Sequence, residues 1–400
     1  MMNPTFLTLT PHDPLVARDG RPFGVNQGRR MRGLPWPLPS VVAGSFRTAL
    51  VKAHATLDFS GDMPQRLLAI EVAGMFPVLN AELYLPAPND ALGEPDGNGK
   101  GIKALHRVAP QPTAGGCDFP DDLPLQPVML PDGVEDFKPA DIPAWWPATK
   151  YWEWLTSTQS QFSSNWFTHD FLNAAHQELR DHVCLDADRG AAAEGLIFAT
   201  AGLNVGHLAR FGVKHEDRHI PFDQRYAKVA LSTRVQIPDS EREFKHINKC
   251  NIWHPLGGER RLVHWQHHGG TDLWTCPADV KQALDRALRI RMGLASPAIF
   301  RGGWKPGWLN EHLEGSPPGS NVKLKLIGVS NGRWKAVSGW SLAPPRGPKP
   351  IRRIVPAGSV YFFDNVGGDP AKLADRWLHS VSDEAQDKRD GFGLAVWGTW

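Results

Sequence analysis

Cysteine is scarce in this sequence, whose 400 residues include only Cys117, Cys184, Cys250 and Cys276. Cysteines so few and so far apart exclude a disulfide-dense scaffold, and we expect reduced thiols in a cytoplasm. No apolar run approaches the length of a membrane span. The first residues have neither the basic segment nor the long apolar segment of a secretory signal. We therefore expect a cytoplasmic protein that makes no contact with a membrane.

Sequence motifs of common catalytic sites are also missing. The chain contains no G-x-S-x-G, no H-E-x-x-H and no G-x-x-x-x-G-K-S/T segment. We therefore predict no catalytic residue, no bound metal and no cofactor. The formal net charge is only +2, so the whole chain is not a polycation. A nucleic-acid partner would need a local basic patch instead.

A dense basic cluster does lie near the start of the chain. The segments DPLVARDGRPFG (13–24) and GRRMRG (28–33) combine arginines with glycines. Such a loop can follow a phosphodiester backbone, and an ordinary solvated basic loop is the alternative. The arginines of this cluster are Arg18, Arg21, Arg29, Arg30 and Arg32.

The second half of the chain has two further basic segments. FRGGWKPGW (300–308) combines Arg301 and Lys305 with Trp304, and these residue types contact phosphates and stack on bases. The alternative is a turn whose tryptophans fill a core. The other cluster contains no acidic residue and consists of Arg346, Lys349, Arg352 and Arg353.

Two weaker hypotheses involve histidine. His12 beside Asp13 could be a general base for RNA cleavage through the 2′-hydroxyl, or a turn histidine bonded to the backbone. Zinc is a second possibility, although the spacing contains no C-x2-C pair, and packed or solvated side chains are the alternative. The residues of that zinc hypothesis are Cys250, His254, His264 and Cys276.

Local patterns predict the first elements of the fold. Residues 5–9 form a strand, and Ser40 is the N-cap of a helix that runs to about His54. Arg47 and Lys52 lie off the apolar stripe of this helix, so we expect them to face outward. Two strands follow. The order strand, helix, strand, strand is the beginning of a ferredoxin-like βαββαβ unit.

The rest of the chain is also predicted to be α+β. Residues 87–150 are rich in proline and glycine and indicate an irregular insertion. Its aromatic end, WWPATKYWEW (145–154), should dock on another surface of this chain or of a partner. Apolar spacing predicts a helix over 279–292, and strands follow it.

The chain resembles one family over segments that run in order from residue 13 to 398. That family is the third subunit of the Cmr complex, a RAMP-superfamily protein of type III-B CRISPR effectors. The last segment also has the outline of an RNP1 strand, with Asp390 in place of a basic residue. The segments are DPLVARDGRPFG, LPWPLPSVVAGSFRTAL, ELYLPAPND, HVCLDADRGAAAEGLIFAT, LGGERRLV, SPAIFRGGWKPGWL, VPAGSVYFFDN and DGFGLAVWG.

The resemblance implies an α+β fold of two ferredoxin-like (RRM-type) domains. We place them at 1–215 and 216–400, with the insertion of about 87–150 in the first. It also implies a non-catalytic subunit that binds the 5′ handle of the CRISPR RNA. The implied partners are the large polymerase-like subunit and a RAMP backbone subunit, with target RNA nearby. A metal-independent endoribonuclease that cuts CRISPR transcripts, with His12 as base, is the alternative.

The resemblance and the residue chemistry together suggest where the RNA would bind. Arginines would neutralise phosphates, glycine-rich loops would approach splayed bases, and aromatic rings would stack on them. Besides the N-terminal arginine cluster, the predicted contacts are Ser40, Arg47, His182, Phe300, Arg301, Trp304 and Lys305.

Overall fold

The computed structural model has a mixed α/β fold, with mostly strands and few helices. No helix among the residues it describes is long and apolar enough to cross a membrane. Arg21, Arg29 and Arg30 of the predicted site lie outside the described residues. The structure describes residues 4–19, 31–54, 56–98, 101–112, 123–168, 170–241, 243–244, 250–269, 272–341 and 343–400.

The helices are short, and 3₁₀ segments accompany them, among others at Ser164–Trp166, Asp272–Trp274 and Pro370–Arg376. The α-helices are α1 (Pro39–Lys52), α2 (Met63–Leu67), α3 (Ala148–Thr156), α4 (Phe222–Arg225), α5 (Ala278–Leu284) and α6 (Ala385–Arg389).

The strands divide into those before and those after residue 270. The first group is β1 (Thr5–Pro11), β2 (Glu71–Leu79), β3 (Glu82–Pro86), β4 (Ala91–Pro95), β5 (Ile102–Arg107), β6 (Ala109–Pro110), β7 (Val128–Met129), β8 (Trp145–Pro147), β9 (Gln161–Ser163), β10 (Gln177–Leu185), β11 (Ala192–Leu203), β12 (His207–Ala209), β13 (Tyr226–Lys228), β14 (Ala230–Gln236), β15 (Asn251–Pro255) and β16 (Leu262–His268). The second is β17 (Arg289–Leu294), β18 (Glu314–Gly315), β19 (Lys323–Ser330), β20 (Lys335–Val337), β21 (Trp340–Ser341), β22 (Gly347–Pro348), β23 (Arg352–Ile354), β24 (Val360–Gly367), β25 (His379–Ser380) and β26 (Leu394–Thr399).

The first large sheet has seven antiparallel strands in the order β15-β16-β1-β14-β2-β3-β8. In β1, Leu7 and Leu9 are fully buried and the threonines between and after them are half-buried. Leu7 and Leu9 therefore lie on one buried face of the sheet. That face packs on α1, where the Phe46 ring lies 5.1 Å from that of Trp265. The strand predicted at 5–9 is therefore confirmed. The sheet also contains β14, β15 and β16, which lie beyond residue 215, the predicted end of the first domain. That domain boundary stays a prediction.

The second large sheet has six strands in the order β18-β19-β24-β17-β26-β25. The helix predicted over 279–292 is confirmed for its first half by α5 and is wrong for its second half, where the central strand β17 begins. The helix ends at Leu284, and Arg286 has a left-handed φ of 57° that α-helices do not continue. Leu288 continues the apolar spacing of Val280 and Leu284, but it is exposed and lies outside the helix.

The region 87–150 is more ordered than its composition indicated. Strands β4 and β5 pair within it, so the prediction of irregular structure is wrong for those residues. The prediction that 145–154 docks on another surface is confirmed, because Trp146 and Trp154 are fully buried in this chain's own core. That core is continuous and contains residues of both large sheets.

A buried ion pair links this region to the second sheet. Asp90 lies 2.9 Å from the Arg291 guanidinium, and both side chains are fully buried. The Trp154 indole donates to the other Asp90 oxygen at 3.0 Å. Nearby, Arg107 donates to the Trp154 carbonyl at 2.6 Å. Burial, assisted by the Arg291 charge, lowers the pKa of Arg107 to about 9.

Candidate functional site

The N-terminal basic turn is held by backbone pairing. Arg18 and Gly33 form an antiparallel bridge. The Asp19 amide donates to the Arg32 carbonyl at 3.2 Å. Arg18 and Arg32 are both exposed. The structure therefore brings two of the predicted arginines onto neighbouring segments with paired backbones and exposed side chains.

The same turn is clamped from a second side by the segment LGGERRLV. Gly257 has a φ of +78°, and a Cβ there would lie 2.5 Å from the Val16 carbonyl oxygen. Only glycine avoids both the strained φ and this clash. Asp13 accepts the Leu262 amide at 3.1 Å. These contacts give the glycines of the segment a packing role and hold the residues that precede Arg18 in place.

His182 lies on β10 of the ribbon formed with β11. Its Nε2 is 2.8 Å from the Thr200 hydroxyl oxygen, and its ring stacks on Phe198 at 4.9 Å. One ring face is therefore already covered inside the protein. The predicted RNA contact of His182 stays a prediction.

The second group of predicted residues lies on a loop organised by Asp383. The two carboxylate oxygens of Asp383 accept the backbone amides of Arg301 at 2.7 Å and Gly307 at 2.8 Å. A Cβ on Gly307 would lie 2.5 Å from that carboxylate, so glycine lets the loop close around it. Two amides that we expected to be open to a ligand are thus already bonded. Sequence reasoning missed Asp383 because it lies far along the chain.

The Arg301 guanidinium faces a cleft of about 610 Å³. Its Nε donates to Glu384 at 2.6 Å although the side chain is 76% exposed. This hydrogen bond raises the pKa of Arg301 and lowers that of Glu384. Two arginines of the second basic cluster, Arg352 and Arg353, line the same cleft. The full lining is Ile299, Phe300, Arg301, Gly302, Gly303, Arg352, Arg353, Asp383 and Glu384.

The aromatic residues of FRGGWKPGW are largely structural. Phe300 is buried and meets the Tyr361 ring edge-on at 6.3 Å, so it presents no face to a base. Trp304 is half-buried, and its carbonyl accepts the Tyr361 hydroxyl at 2.7 Å. Lys305 donates to the Asn310 carbonyl at 3.3 Å. We therefore withdraw Phe300 from the predicted stacking residues.

Arg47 faces the interior, so the prediction that it points outward is wrong. Its Nη1 lies 2.5 Å from the Asp390 carboxylate, and both residues are buried. Nε and Nη2 both donate to the Ile70 carbonyl. A guanidinium held this way cannot reach RNA, and we withdraw it from the predicted contacts. The pair also accounts for the acidic residue that replaces the basic one of an RNP1 strand.

Ser40 does not cap α1, so that prediction is wrong as well. The helix begins at Pro39 with Leu38 as N-cap, and no side chain bonds the free amides. Proline suits the first helical position because its fixed φ is already helical and it has no amide to satisfy. Ser40 lies half-buried in the first turn.

Gly391 of the terminal segment approaches protein rather than an open surface. Its φ is +86°, and a Cβ there would lie 2.6 Å from the Val72 carbonyl oxygen of β2. The glycine therefore allows the C-terminal turn to lie against the first sheet.

The zinc hypothesis does not match the geometry. Cys250, directly before β15, and His254, on β15, are both buried. Trp253, between them, points outward and stacks on His264 at 4.5 Å. His264 is thus on the other face of the sheet. Burial raises the pKa of the Cys250 thiol to about 11 and lowers the pKa of His254 to about 4. Among the described residues, no three His, Cys, Asp or Glu side chains are grouped to hold a metal.

His12 has an aromatic neighbour that the sequence did not reveal. Its ring meets Trp253 edge-on at 5.7 Å, and His264 stacks on the same tryptophan. Two histidines therefore lie at one exposed indole, at the edge of the first sheet.

Comparison with known families gives a match over nearly the whole chain. Residues 7–400 match the family model described as "CRISPR-associated protein (Cas_Cmr3)". No curated protein gives a significant match.

Three similar solved structures belong to CRISPR complexes. One is a cryo-EM structure of the Type III-B Cmr-beta bound to cognate target RNA and AMPPnP, at 14% identity and a TM-score of 0.47, covering 89% of this chain and 86% of the other. Another, of Cmr-beta bound to cognate target RNA, has 14% identity and a TM-score of 0.47, with coverages of 98% and 96%. The third is a crystal structure of the Csm3-Csm4 subcomplex in the type III-A CRISPR-Cas interference complex, at 12% identity and a TM-score of 0.34, with coverages of 92% and 97%.

Proposed function

The chain belongs to the Cas_Cmr3 family of CRISPR-associated proteins, and from this we propose that it is a non-catalytic RNA-binding subunit of a type III-B CRISPR effector. It holds the 5′ handle of the CRISPR RNA. It also bridges the large polymerase-like subunit to a RAMP backbone subunit, close to the target RNA. Its two parts are ferredoxin-like, RRM-type domains in this proposal, and it acts in antiviral defence in the cytoplasm.

The observation that carries the RNA-binding part is the fixed presentation of Arg18 and Arg32. Both guanidinium groups are exposed on backbone segments paired with each other. Arginine binds phosphate bidentately, and a preorganised donor loses less conformational entropy on binding. The phosphates of a flexible RNA end are the groups that these two exposed arginines would bind.

Arg301 supplies a third cation, at the cleft. Its present partner Glu384 is half exposed, and such surface ion pairs contribute little to stability. A phosphate can therefore replace the Glu384 carboxylate at small cost.

The test is an effector reassembled with Arg18→Ala/Arg32→Ala/Arg301→Ala. We expect this variant to bind a CRISPR RNA that carries the handle about tenfold more weakly than the wild type does, or weaker still. Binding of a CRISPR RNA that lacks the handle should change little. Arg218→Ala, at another exposed arginine, is the matched control. Unchanged handle retention in the triple variant would remove these residues from the site.

One observation favours a second candidate function, the metal-independent endoribonuclease. His12 and His264 lie at the same indole of Trp253. One imidazole could take the proton of an RNA 2′-hydroxyl, which attacks the phosphorus, while the other protonates the 5′-oxygen that leaves. The purified chain would be incubated with repeat RNA in EDTA. Cleavage that is lost in both His12→Ala and His264→Ala would replace the non-catalytic proposal.

A further inference from the structure

The most one-sided charge in the chain lies on residues 333–353, here called the basic arm. From residue 315 to 363 the sequence contains no Asp or Glu. The arm itself carries Arg333, Lys335, Arg346, Lys349, Arg352 and Arg353. The formal net charge of the whole chain is only +2. Positive charge is therefore concentrated on this segment, and acidic residues elsewhere in the chain balance it.

The arm is a two-stranded ribbon. Strand β20 pairs with β23, and β21 pairs with β22 farther along. Between the two ladders, the Lys349 amide donates to the Gly339 carbonyl at 2.7 Å. Neither ladder belongs to one of the two large sheets. The base of the ribbon is anchored, because Val337 of β20 and Ile354 of β23 are buried in the main core.

The ribbon exposes large apolar side chains as well as charge. Trp334 is 53% exposed, Trp340 65% and Ile351 70%. The Arg353 guanidinium lies 4.6 Å from the centre of the Trp334 ring. Single exposed apolar residues are ordinary, but three on one short ribbon mark an interaction surface.

Most of the cations on the arm have no ion-pair partner among the residues that the structure describes. Arg352 is the exception, since its Nη1 donates to both oxygens of buried Asp387, at 2.7 and 2.8 Å. This contact anchors the base of the arm beside the cleft. Within the described part of the chain, Lys335, Arg346 and Arg353 have no carboxylate within ion-pair distance and are exposed.

We propose that the basic arm binds single-stranded RNA, with bases stacked on Trp334 and Trp340 and phosphates on the surrounding lysines and arginines. A positively charged track with exposed indoles is the chemistry that binds single strands without regard to sequence. This inference rests on the proposed function and extends it. The arm binds RNA outside the handle, and the bound strand is either the guide or its target. An acidic protein surface would match the charge but has no base-like faces for the two indoles.

The affinity test uses the full chain and a labelled ten-nucleotide oligouridine that lacks the handle. Trp334→Ala/Trp340→Ala should weaken binding by about tenfold or more, because each stack contributes strongly. Trp334→Phe/Trp340→Phe should restore most of the affinity. Phe222→Ala, at an exposed aromatic residue outside the arm, is the control. Equal affinity for the alanine variant and the wild type would overturn the proposal.

Crosslinking in the reassembled effector identifies the strand. Two reactions are run, one with only the guide labelled and one with only the target labelled. Ultraviolet crosslinks from the arm should appear in one of them, and that reaction identifies the bound strand. Loss of subunit assembly in the arm variants, without loss of RNA binding, would identify an acidic protein partner and refute the proposal. Handle retention is measured in parallel. If handle retention depends on Arg18 and Arg32 but oligouridine binding is unchanged by the arm substitutions, the arm proposal is refuted while the proposed function stands.

Discussion

At the scale of single residues, the pair of Arg47 and Asp390 shows that a contact between residues far apart in the chain cannot be predicted from local sequence. The partners are 343 residues apart, so no local pattern could place a buried carboxylate next to this arginine. By contrast, the exposure of Arg18, Arg32 and Arg301 follows from turn composition and could be predicted. Asp383 and Glu384 could not, since they meet the loop after Phe300 only in three dimensions.

Removing one partner of the buried pair is predicted to be costly. Asp390→Ala leaves the Arg47 guanidinium buried without its counter-charge, and we expect a loss of about 3–5 kcal/mol in the free energy of unfolding. Urea denaturation followed by far-UV circular dichroism measures it. The double variant Arg47→Met/Asp390→Leu should lose much less. A loss of under about 1 kcal/mol for Asp390→Ala would mean that water or another residue satisfies Arg47.

Buried histidines predict a pH dependence of stability. Burial lowers the pKa of His254 to about 4 and that of His379 to about 3. The unfolded chain therefore binds more protons than the native state below the ordinary histidine pKa of about 6.5. The free energy of unfolding should fall as the pH is lowered from about 7 toward 4. His254→Gln should flatten this slope in urea denaturation at several pH values, and an unchanged slope would count against a neutral buried His254.

At the scale of elements, local periodicity worked where an element packs one face on a neighbour. Strand β1 and helix α1 fit this case, since Leu7 and Leu9 are buried at strand spacing and Val42, Phe46 and Ala49 at helical spacing. It failed over 285–292, where the chain leaves the helix and enters β17, a strand that is buried on both faces. Ala287 and Leu288 continue the helical spacing of Val280 and Leu284, although Leu288 is exposed.

The clamp on the N-terminal turn predicts opposite effects for two glycines. Gly257→Ala should destabilise the chain by about 1–3 kcal/mol, because it combines a strained φ with a clash against Val16. Gly44→Ala should stabilise by about 0.5–1 kcal/mol, since nothing lies within 4 Å of a Cβ in that helical position. Thermal unfolding of both variants checks the contrast. Equal melting temperatures would show that the turn can relax away from Gly257.

At the scale of the whole molecule, one continuous core joins the two large sheets. The Asp90–Arg291 pair and the Arg47–Asp390 pair both cross from the first part of the chain to the second. The order of elements along the chain predicts two parts, but it does not show that these parts share one core and two buried ion pairs. Which strands join which sheet could not be read locally, because β14–β16 return to β1 after more than 200 residues.

The shared core predicts cooperative unfolding. Tryptophan fluorescence and far-UV circular dichroism should report one coincident transition in urea. Asp90→Asn should move that whole transition to lower urea, since it leaves Arg291 buried without a counter-charge. Two separated transitions would mean that the parts unfold independently.

The central claim is that Arg18 and Arg32 grip phosphates of the RNA handle. The most direct measurement is the dissociation constant of handle RNA from the reassembled effector over a range of salt concentrations. Each phosphate contact on a single strand contributes about 0.7 to the slope of log affinity against log salt. Arg18→Ala/Arg32→Ala should lower the magnitude of that slope by about 1.4 and weaken binding. A variant with the slope and affinity of the wild type would contradict the account.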